Sequence, residues 1–285
     1  MGSPSYFSSS TSHPYVGNGR GLTLSSSSSQ YLLISSPFLD LTYKSFTIEF
    51  WIYPSMSSTT DYGIFGQCQC FSCANQCLSL IIRSYKLYAS FMNNDLSGNA
   101  TLSSNVWYHI AFVYNYATKQ QILYINGYQD AIKSNSDAYQ GTNGSMLIGA
   151  AVVYSATQYY NGYLDNFKIS TTAKSASEIL DAATLTAYFS FDGSSPTYDN
   201  GPLGLNGTTT SNVAIVSGRV NEAMRFTGSS SYFYAYGFYQ IGYGRYSGRS
   251  FSVSLWVNPS RILSCVFVQT SYQLSSYRCH NMIGF

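Results

Sequence analysis

The segment 107–131, WYHIAFVYNYATKQQILYINGYQDA, constrains the fold more than any other part of the chain. Residues 106–114 are rich in β-branched and aromatic side chains, and residues 121–125 have the same character, which is typical of β-strands. The short loop between them has the length of a hairpin connection. Asn126 and Gly127 then supply the positive φ angles that a tight turn requires. Because both faces of the first strand are apolar, we expect it to lie in the interior of a sheet.

Further strands are predicted on both sides of this hairpin. The segment 45–53, SFTIEFWIY, alternates between two faces, with Glu49 on the opposite face from its apolar neighbours, and Pro54 ends the strand. The residues from Ser175 to Glu178 form a capping box, which predicts one short helix. The same reasoning predicts strands at 78–82, 87–91, 146–149 and 161–169.

The motifs WYHIAFV and LYING of the hairpin, together with NGYLDNFKI at 161–169, resemble the laminin G-like, concanavalin A-like jelly-roll domains. The resemblance implies an all-β antiparallel sandwich with a short helix after the closing strand. It also implies an extracellular recognition or adhesion module that binds a protein or a glycan. The same fold carries lectins and glycoside hydrolases, and many of its members bind calcium.

The first part of this pattern occurs twice. RSFSVSLWVNPS at 249–260 repeats KSFTIEFWIYPS at 44–55, 205 positions later. A repeat of this length indicates tandem domains. We therefore expect a flexible lead, a laminin G-like jelly-roll domain and the N-terminal part of a second one, at 1–16, 17–184 and 185–285. As an alternative for one segment, AYFSFD at 187–192 packs onto the sheet of the first copy.

Composition narrows the functional class. Charged residues make up 9 % of the chain, and the formal net charge of +2 is spread without runs, which argues against nucleic acid or an anionic membrane as partner. No apolar segment reaches the ~20 residues of a membrane helix. The six cysteines and the sequons at Asn99, Asn143 and Asn206 favour a secreted protein or an ectodomain.

The cysteines are expected to form disulfides. Four fall within ten residues, which is too compressed to surround one zinc ion easily, at Cys68, Cys70, Cys73 and Cys77. In the repeat, Cys265 aligns with Gly63 and Cys279 with Cys77, which places them on paired strands and predicts a disulfide between Cys265 and Cys279. Cys77 then pairs within its own cluster. Cys68 is the preferred partner, which leaves Cys70 with Cys73.

No catalytic residue is recognisable. Hydrolysis of a glycosidic bond requires two carboxyl groups about 5–9 Å apart, and no Asp or Glu lies two positions from another. Glu49 is alone on its strand and is expected to face solvent, so Glu49→Gln should leave the protein nearly unchanged. His109 has no recognisable nucleophile, and His13 and His280 are isolated. We therefore expect a protein that binds and does not catalyse.

Calcium is a candidate cofactor through Asp165 and Asp199, but we assign no ligand because calcium requires six to eight oxygens and the two aspartates fall in different copies. Asp165 alternatively holds a loop by backbone hydrogen bonds. The 28 tyrosines include a dense run at 232–246, YFYAYGFYQIGYGRY. These rings either fill the sandwich core or form a contact surface for saccharide or protein.

Overall fold

The structure is a computed structural model that describes residues 4–8, 20–236, 238, 251–260, 265–273 and 276–284, with side chains up to residue 260 except those of 7 and 8. The chain forms two units. The first contains Met1–Tyr188 and Asp199–Leu205, and the second contains Phe189–Tyr198 and Asn206–Phe285. Sequence reasoning places the segment Asp199–Leu205 in the second copy, whereas the structure packs it within the first unit.

The elements of the first unit follow in chain order. The strands are β1 (Ser5–Ser8), β2 (Arg20–Leu24), β3 (Leu32–Ile34), β4 (Phe46–Pro54), β5 (Tyr62–Cys68), β6 (Cys77–Arg83), β7 (Lys86–Ser90), β8 (Asp95–Ser97), β9 (Tyr108–Asn115), β10 (Gln120–Ile125), β11 (Tyr128–Lys133), β12 (Met146–Ile148), β13 (Ala150–Val153), β14 (Ala156–Tyr159) and β15 (Gly162–Ser170). A 3-10 turn spans Ser26–Ser28, and the helix α1 spans Ala176–Thr184. The predicted capping box is confirmed, because the Ser175 side chain accepts from the Glu178 N–H and the Glu178 side chain accepts from the Ser175 N–H.

These strands form the expected antiparallel jelly-roll sandwich. The seven-stranded sheet has the order β1-β2-β15-β4-β9-β10-β11, and the six-stranded sheet has the order β3-β12-β5-β6-β7-β8. The predicted central strand β9 lies between β4 and β10, as its two apolar faces indicated. Within the part of the chain that the structure describes, strands β13 and β14 pair only with each other.

The core lies between the two sheets. On β4, the inward residues are fully buried, at Phe46, Ile48, Phe50 and Ile52. They pack with β9 and β6 residues, including Phe112 and Leu80, in one continuous cluster. Each such side chain contributes about 1.5–3 kcal/mol relative to exposure in water.

The opposite face of β4 is also buried, which the alternation alone does not predict. Ile179 of α1 and Leu203 of the segment Asp199–Leu205 pack over the outer face of the seven-stranded sheet. Glu49 is therefore only 2 % exposed, and the expectation that it faces solvent is wrong. The alternating pattern identifies which residues share a face, but not whether another element covers that face.

The second unit contains β16 (Thr208–Thr209), β17 (Val213–Ser217), β18 (Glu222–Phe226), β19 (Phe233–Tyr234), β20 (Cys265–Gln273) and β21 (Ser276–Gly284). Its segment 251–260, which repeats β4 in sequence, forms no strand. Phe251 is 48 % exposed and Leu255 is 44 % exposed, whereas their counterparts in β4 are fully buried. A truncated copy of the jelly roll is thus a prediction from sequence that the structure of this segment does not reproduce.

Candidate functional site

A groove lies on the outer face of the six-stranded sheet, with a volume of about 90 Å³. Residues of β6 alternate between the two faces of this sheet, so that Leu78, Leu80 and Ile82 enter the core while the residues between them line the groove. Strands β7 and β8 add the adjacent part of its floor. The lining residues are Cys77, Ser79, Ile81, Arg83, Tyr88, Ser90, Met92, Asn93, Asp95, Val152, Val153 and Tyr154.

One wall of the groove is the β13–β14 hairpin, which lies flat on β5. A Cβ atom on Gly63 would overlap with the backbone of Ala151 and Gln158, and one on Gly66 would lie 2.9 Å from the Cα atom of Ala151. Both glycines therefore permit the close approach of the hairpin backbone. The hairpin turn then places Tyr154, which is 67 % exposed, at the edge of the groove.

Arg83 is held in a fixed orientation at one end of the groove. Its Nε and Nη2 atoms donate to the two carboxylate oxygens of Asp61 at 2.8 and 2.7 Å. The guanidinium carbon lies 4.5 Å from the centre of the Tyr88 ring and 5.9 Å from that of Tyr154. The hydrogen bonds to Asp61 raise the pKa of Arg83, so the guanidinium is charged at every accessible pH.

Asp95 provides a carboxylate acceptor in the groove. It is exposed, and one of its carboxylate oxygens accepts a hydrogen bond from the Ser90 hydroxyl. Burial, and after it the nearby Asp95 carboxylate, raises the pKa of the Tyr88 phenol, which therefore keeps its proton at neutral pH. The exposed Asn93, in a left-handed backbone conformation with φ of 59°, also lines the groove.

Disulfide bonds join Cys68 to Cys77 and Cys70 to Cys73. These are the pairs that sequence reasoning preferred, and they leave no thiolate of the cluster to bind zinc. Cys68 and Cys77 are opposite each other on β5 and β6, with their Cα atoms 4.0 Å apart. Because Cys77 lines the groove, this bond fixes one of its ends.

The predicted bond between Cys265 and Cys279 stays a prediction, because both side chains lie outside the described residues. In the backbone register of β20 and β21, Cys265 is opposite Gly284 and Cys279 is opposite Thr270. His13 and the His280 side chain also lie outside the described part of the chain.

Glu49 and His109 lie in the seven-stranded sheet, outside the groove. The Glu49 carboxylate is paired with Lys174 beneath the start of α1. The His109 ring packs 5.3 Å from the Trp51 ring, and burial, followed by Lys168 and Lys174, lowers the pKa of His109 to about 4. His109 is thus neutral at pH 7 and is 2 % exposed.

The carboxylates of the two aspartates considered for calcium accept hydrogen bonds from backbone N–H groups. The Asp199 carboxylate accepts hydrogen bonds from the backbone N–H groups of Tyr188, Gly201 and Leu205. One oxygen of Asp165 accepts from the Asn166 N–H. Within the described ranges no three His, Cys, Asp or Glu residues come together as a metal site would need. Both carboxylates have the loop-holding role that turn aspartates commonly have.

The tyrosine run at 232–246 is described only in part. The rings of Tyr232, Tyr234 and Tyr236 follow one another at 5.7 and 5.4 Å, and Tyr236 is 78 % exposed. Residues 239–246 lie outside the described residues.

Sequence reasoning did not identify the groove. Arg83 and Asp61 lie 22 positions apart, and the hairpin that forms the wall was not predicted. The available signal was the pair of glycines in β5, since glycine inside a strand often marks the close approach of another backbone.

Residues 26–180 match the family model described as the concanavalin A-like lectin/glucanases superfamily, which is a laminin G family model. The match spans more than half of the chain, and the chain belongs to this superfamily. A search of curated proteins finds no match.

Several solved structures are similar in fold. Domain 4 of AbnA, a GH43 extracellular arabinanase from Geobacillus stearothermophilus, in complex with arabinotriose, shows 18 % identity over 65 % of this chain and 82 % of that chain, with a TM-score of 0.49. The binding domain of Paraclostridial Mosquitocidal Protein 1 shows 19 % identity over 62 % of this chain and 44 % of that chain, with a TM-score of 0.47. The CBM40 of the Ruminococcus gnavus IT-sialidase, bound to alpha2,3 sialyllactose, shows 15 % identity over 49 % of this chain and 83 % of that chain, with a TM-score of 0.42.

Within the described residues, no helix has the length and apolar character needed to span a membrane.

Proposed function

We propose that the first unit is a non-catalytic carbohydrate-binding module of an extracellular protein, and that a saccharide binds in the groove of the six-stranded sheet. One observation carries the proposal: the exposed Tyr154 ring and the fixed Arg83 guanidinium meet in one groove, which the polar side chains of Asn93 and Asp95 also line. Saccharides present an apolar C–H face together with hydroxyl groups. Aromatic rings combined with a few convergent polar groups are suited to both.

The carboxyl groups of the groove support binding without hydrolysis. Asp95 is the single carboxylic acid among the lining residues. Asp61 is adjacent, but both of its oxygens accept hydrogen bonds from Arg83. A glycoside hydrolase needs one carboxyl group as acid and a second as nucleophile or base. The groove therefore offers recognition groups but not a pair of catalytic acids.

The extracellular location is supported by the two disulfides, since such bonds persist in oxidising compartments. The asparagines of all three sequons are exposed. A saccharide on a cell surface or in a matrix is consequently the ligand that this module would encounter, and adhesion follows where several such modules act together.

A glycan array with the purified chain, with and without calcium, tests the proposal, followed by calorimetry on the best ligands. Tyr154→Ala should weaken binding about fivefold to tenfold, because a stacking ring contributes about 1 kcal/mol. Tyr128→Ala is the matched control, since Tyr128 is 70 % exposed on β11 of the other sheet. If no glycan binds, or if Tyr154→Ala and Tyr128→Ala bind equally well, the proposal is wrong. Release of reducing ends from a bound polysaccharide would contradict its non-catalytic part.

A further inference from the structure

We propose that the groove selects uncharged saccharides over acidic ones, and that Asp61 is the residue that determines this preference. The inference rests on the proposed function, because it concerns the ligand class of the same groove. Arg83 is the one cationic residue in the lining. An unpaired guanidinium in such a position would favour carboxylate-bearing sugars, since it forms two parallel hydrogen bonds with a carboxylate.

Asp61 already occupies the position that a ligand carboxylate would take. Its two oxygens accept from Nε and Nη2 of Arg83, and both side chains are partly buried, 19 % exposed for Asp61 and 27 % for Arg83. An acidic sugar would have to displace an intramolecular partner that has no translational entropy to lose. The bidentate side of the guanidinium is therefore closed to anions.

The remaining charge opposes anions further. Arg83 and Asp61 cancel each other, so that the Asp95 carboxylate leaves one net negative charge at the groove. The charge distribution of the groove thus disfavours acidic ligands.

An uncharged sugar meets suitable partners in the same place. The pair with Asp61 uses two of the five N–H donors of Arg83, which leaves three for hydroxyl oxygens. Asn93 supplies an amide donor and acceptor, and Tyr154 offers an exposed ring for the C–H face of a sugar. Hydroxyl groups are weaker ligands than carboxylates, but they do not compete with Asp61.

Calorimetry with two classes of oligosaccharide tests the inference: neutral ones, and ones that bear a uronate or a sialic acid. The wild-type chain should bind neutral oligosaccharides more tightly than acidic ones, and its affinity for the neutral class should change less than about twofold between about 0.05 and 0.5 M NaCl. Asp61→Asn frees the charge of Arg83 while keeping the shape of the side chain. This variant should gain about tenfold in affinity for acidic oligosaccharides, and the gain should disappear at high salt.

Asp95→Asn serves as a second variant, because it removes a negative charge without touching the Arg83 pair, and it should shift the preference in the same direction by a smaller factor. Arg83→Gln should weaken the binding of neutral oligosaccharides. Arg225→Gln, at an exposed position of β18, is the control for the loss of an arginine and should bind them as tightly as the wild type does. Tighter binding of acidic than of neutral sugars by the wild type would overturn the inference and leave the proposed function standing. An unchanged preference in a folded Asp61→Asn variant would overturn the role of Asp61. Absence of binding to both classes would overturn the proposed function itself.

Discussion

Replacing Glu49 with glutamine tests the buried ion pair that joins β4 to Lys174, just before α1. The alternation of β4 predicts a solvent-facing residue and therefore no effect. In the structure, the Glu49 side chain is 3 % exposed and its carboxylate is paired with Lys174, whose side chain is 22 % exposed. Lys168 lies close enough for the charges of both Glu49 and Lys174 to affect its pKa. Without the Glu49 carboxylate, two lysines share this site, and Asp165 is the remaining carboxylate that acts on Lys168.

The size of the effect follows from the burial of the pair. Removing one partner of a fully buried ion pair costs about 3–5 kcal/mol. Lys174 is partly exposed and glutamine retains a hydrogen-bond acceptor, so we expect the free energy of unfolding to fall by about 2 kcal/mol. For a unit of this size the melting temperature should then fall by about 4–8 °C.

Urea unfolding followed by tryptophan fluorescence measures this change, because Trp51 and Trp107 are both buried in the first unit. A double-mutant cycle with Lys174→Met isolates the interaction between the two charges, and the double variant should be less destabilised than the sum of the single ones. Asp137→Asn, at an exposed position, should stay within about 0.5 kcal/mol of the wild type. A Glu49→Gln variant as stable as this control would refute the argument that α1 buries the pair.

Three further predictions concern stability. The pKa of His109 is about 4 in the folded state and 6.5 when unperturbed, so the unfolded chain takes up the proton first as pH falls. The free energy of unfolding of the wild type should therefore fall by up to about 3 kcal/mol between about pH 6.5 and 4, relative to that of His109→Gln. Parallel pH profiles of the two proteins would contradict this. Replacing Cys68 and Cys77 by serine should lower the free energy of unfolding by about 2–3 kcal/mol and weaken saccharide binding, as measured by urea titration and calorimetry. Loss of the bond between Cys70 and Cys73, which closes a shorter loop, should lower the free energy of unfolding less. A fragment of residues 185–285 should not fold stably alone, because the apolar side chains of its β4-like segment are about half exposed; a cooperative melt with dispersed amide signals would show the opposite.

Strands β4 and β9 and helix α1 were predictable because they depend on local patterns. The period of two in β4, the apolar faces of β9 and the capping box at Ser175 are each contained in a few consecutive residues. The burial of Glu49 was not predictable in this way, because it depends on α1 and Asp199–Leu205, which come more than a hundred residues later.

The groove was hidden from sequence reasoning for a related reason. Its wall depends on two short strands joined at Tyr154, which has a positive φ of 54° without the Gly or Asn that usually indicates such a turn. Arg83 and Asp61 are unremarkable as single charged residues, and only the pairing of β5 with β6 brings them together. A pair of side chains that is brought together only by strand pairing leaves no local pattern in the sequence.

The glycines of β5 also predict how many saccharides one chain binds. In the sequence repeat, Cys265 aligns with Gly63 and Val268 with Gly66. A Cβ atom at either β5 position would collide with the backbone of the β13–β14 hairpin, so a second jelly roll with Cys and Val there could not seat an equivalent wall. Calorimetry should consequently give one site per chain, and Gly66→Val should remove that site, with overpacking that costs about 1–3 kcal/mol of stability. Two equivalent sites per chain, or full affinity in a folded Gly66→Val variant, would show that the groove does not depend on the hairpin wall.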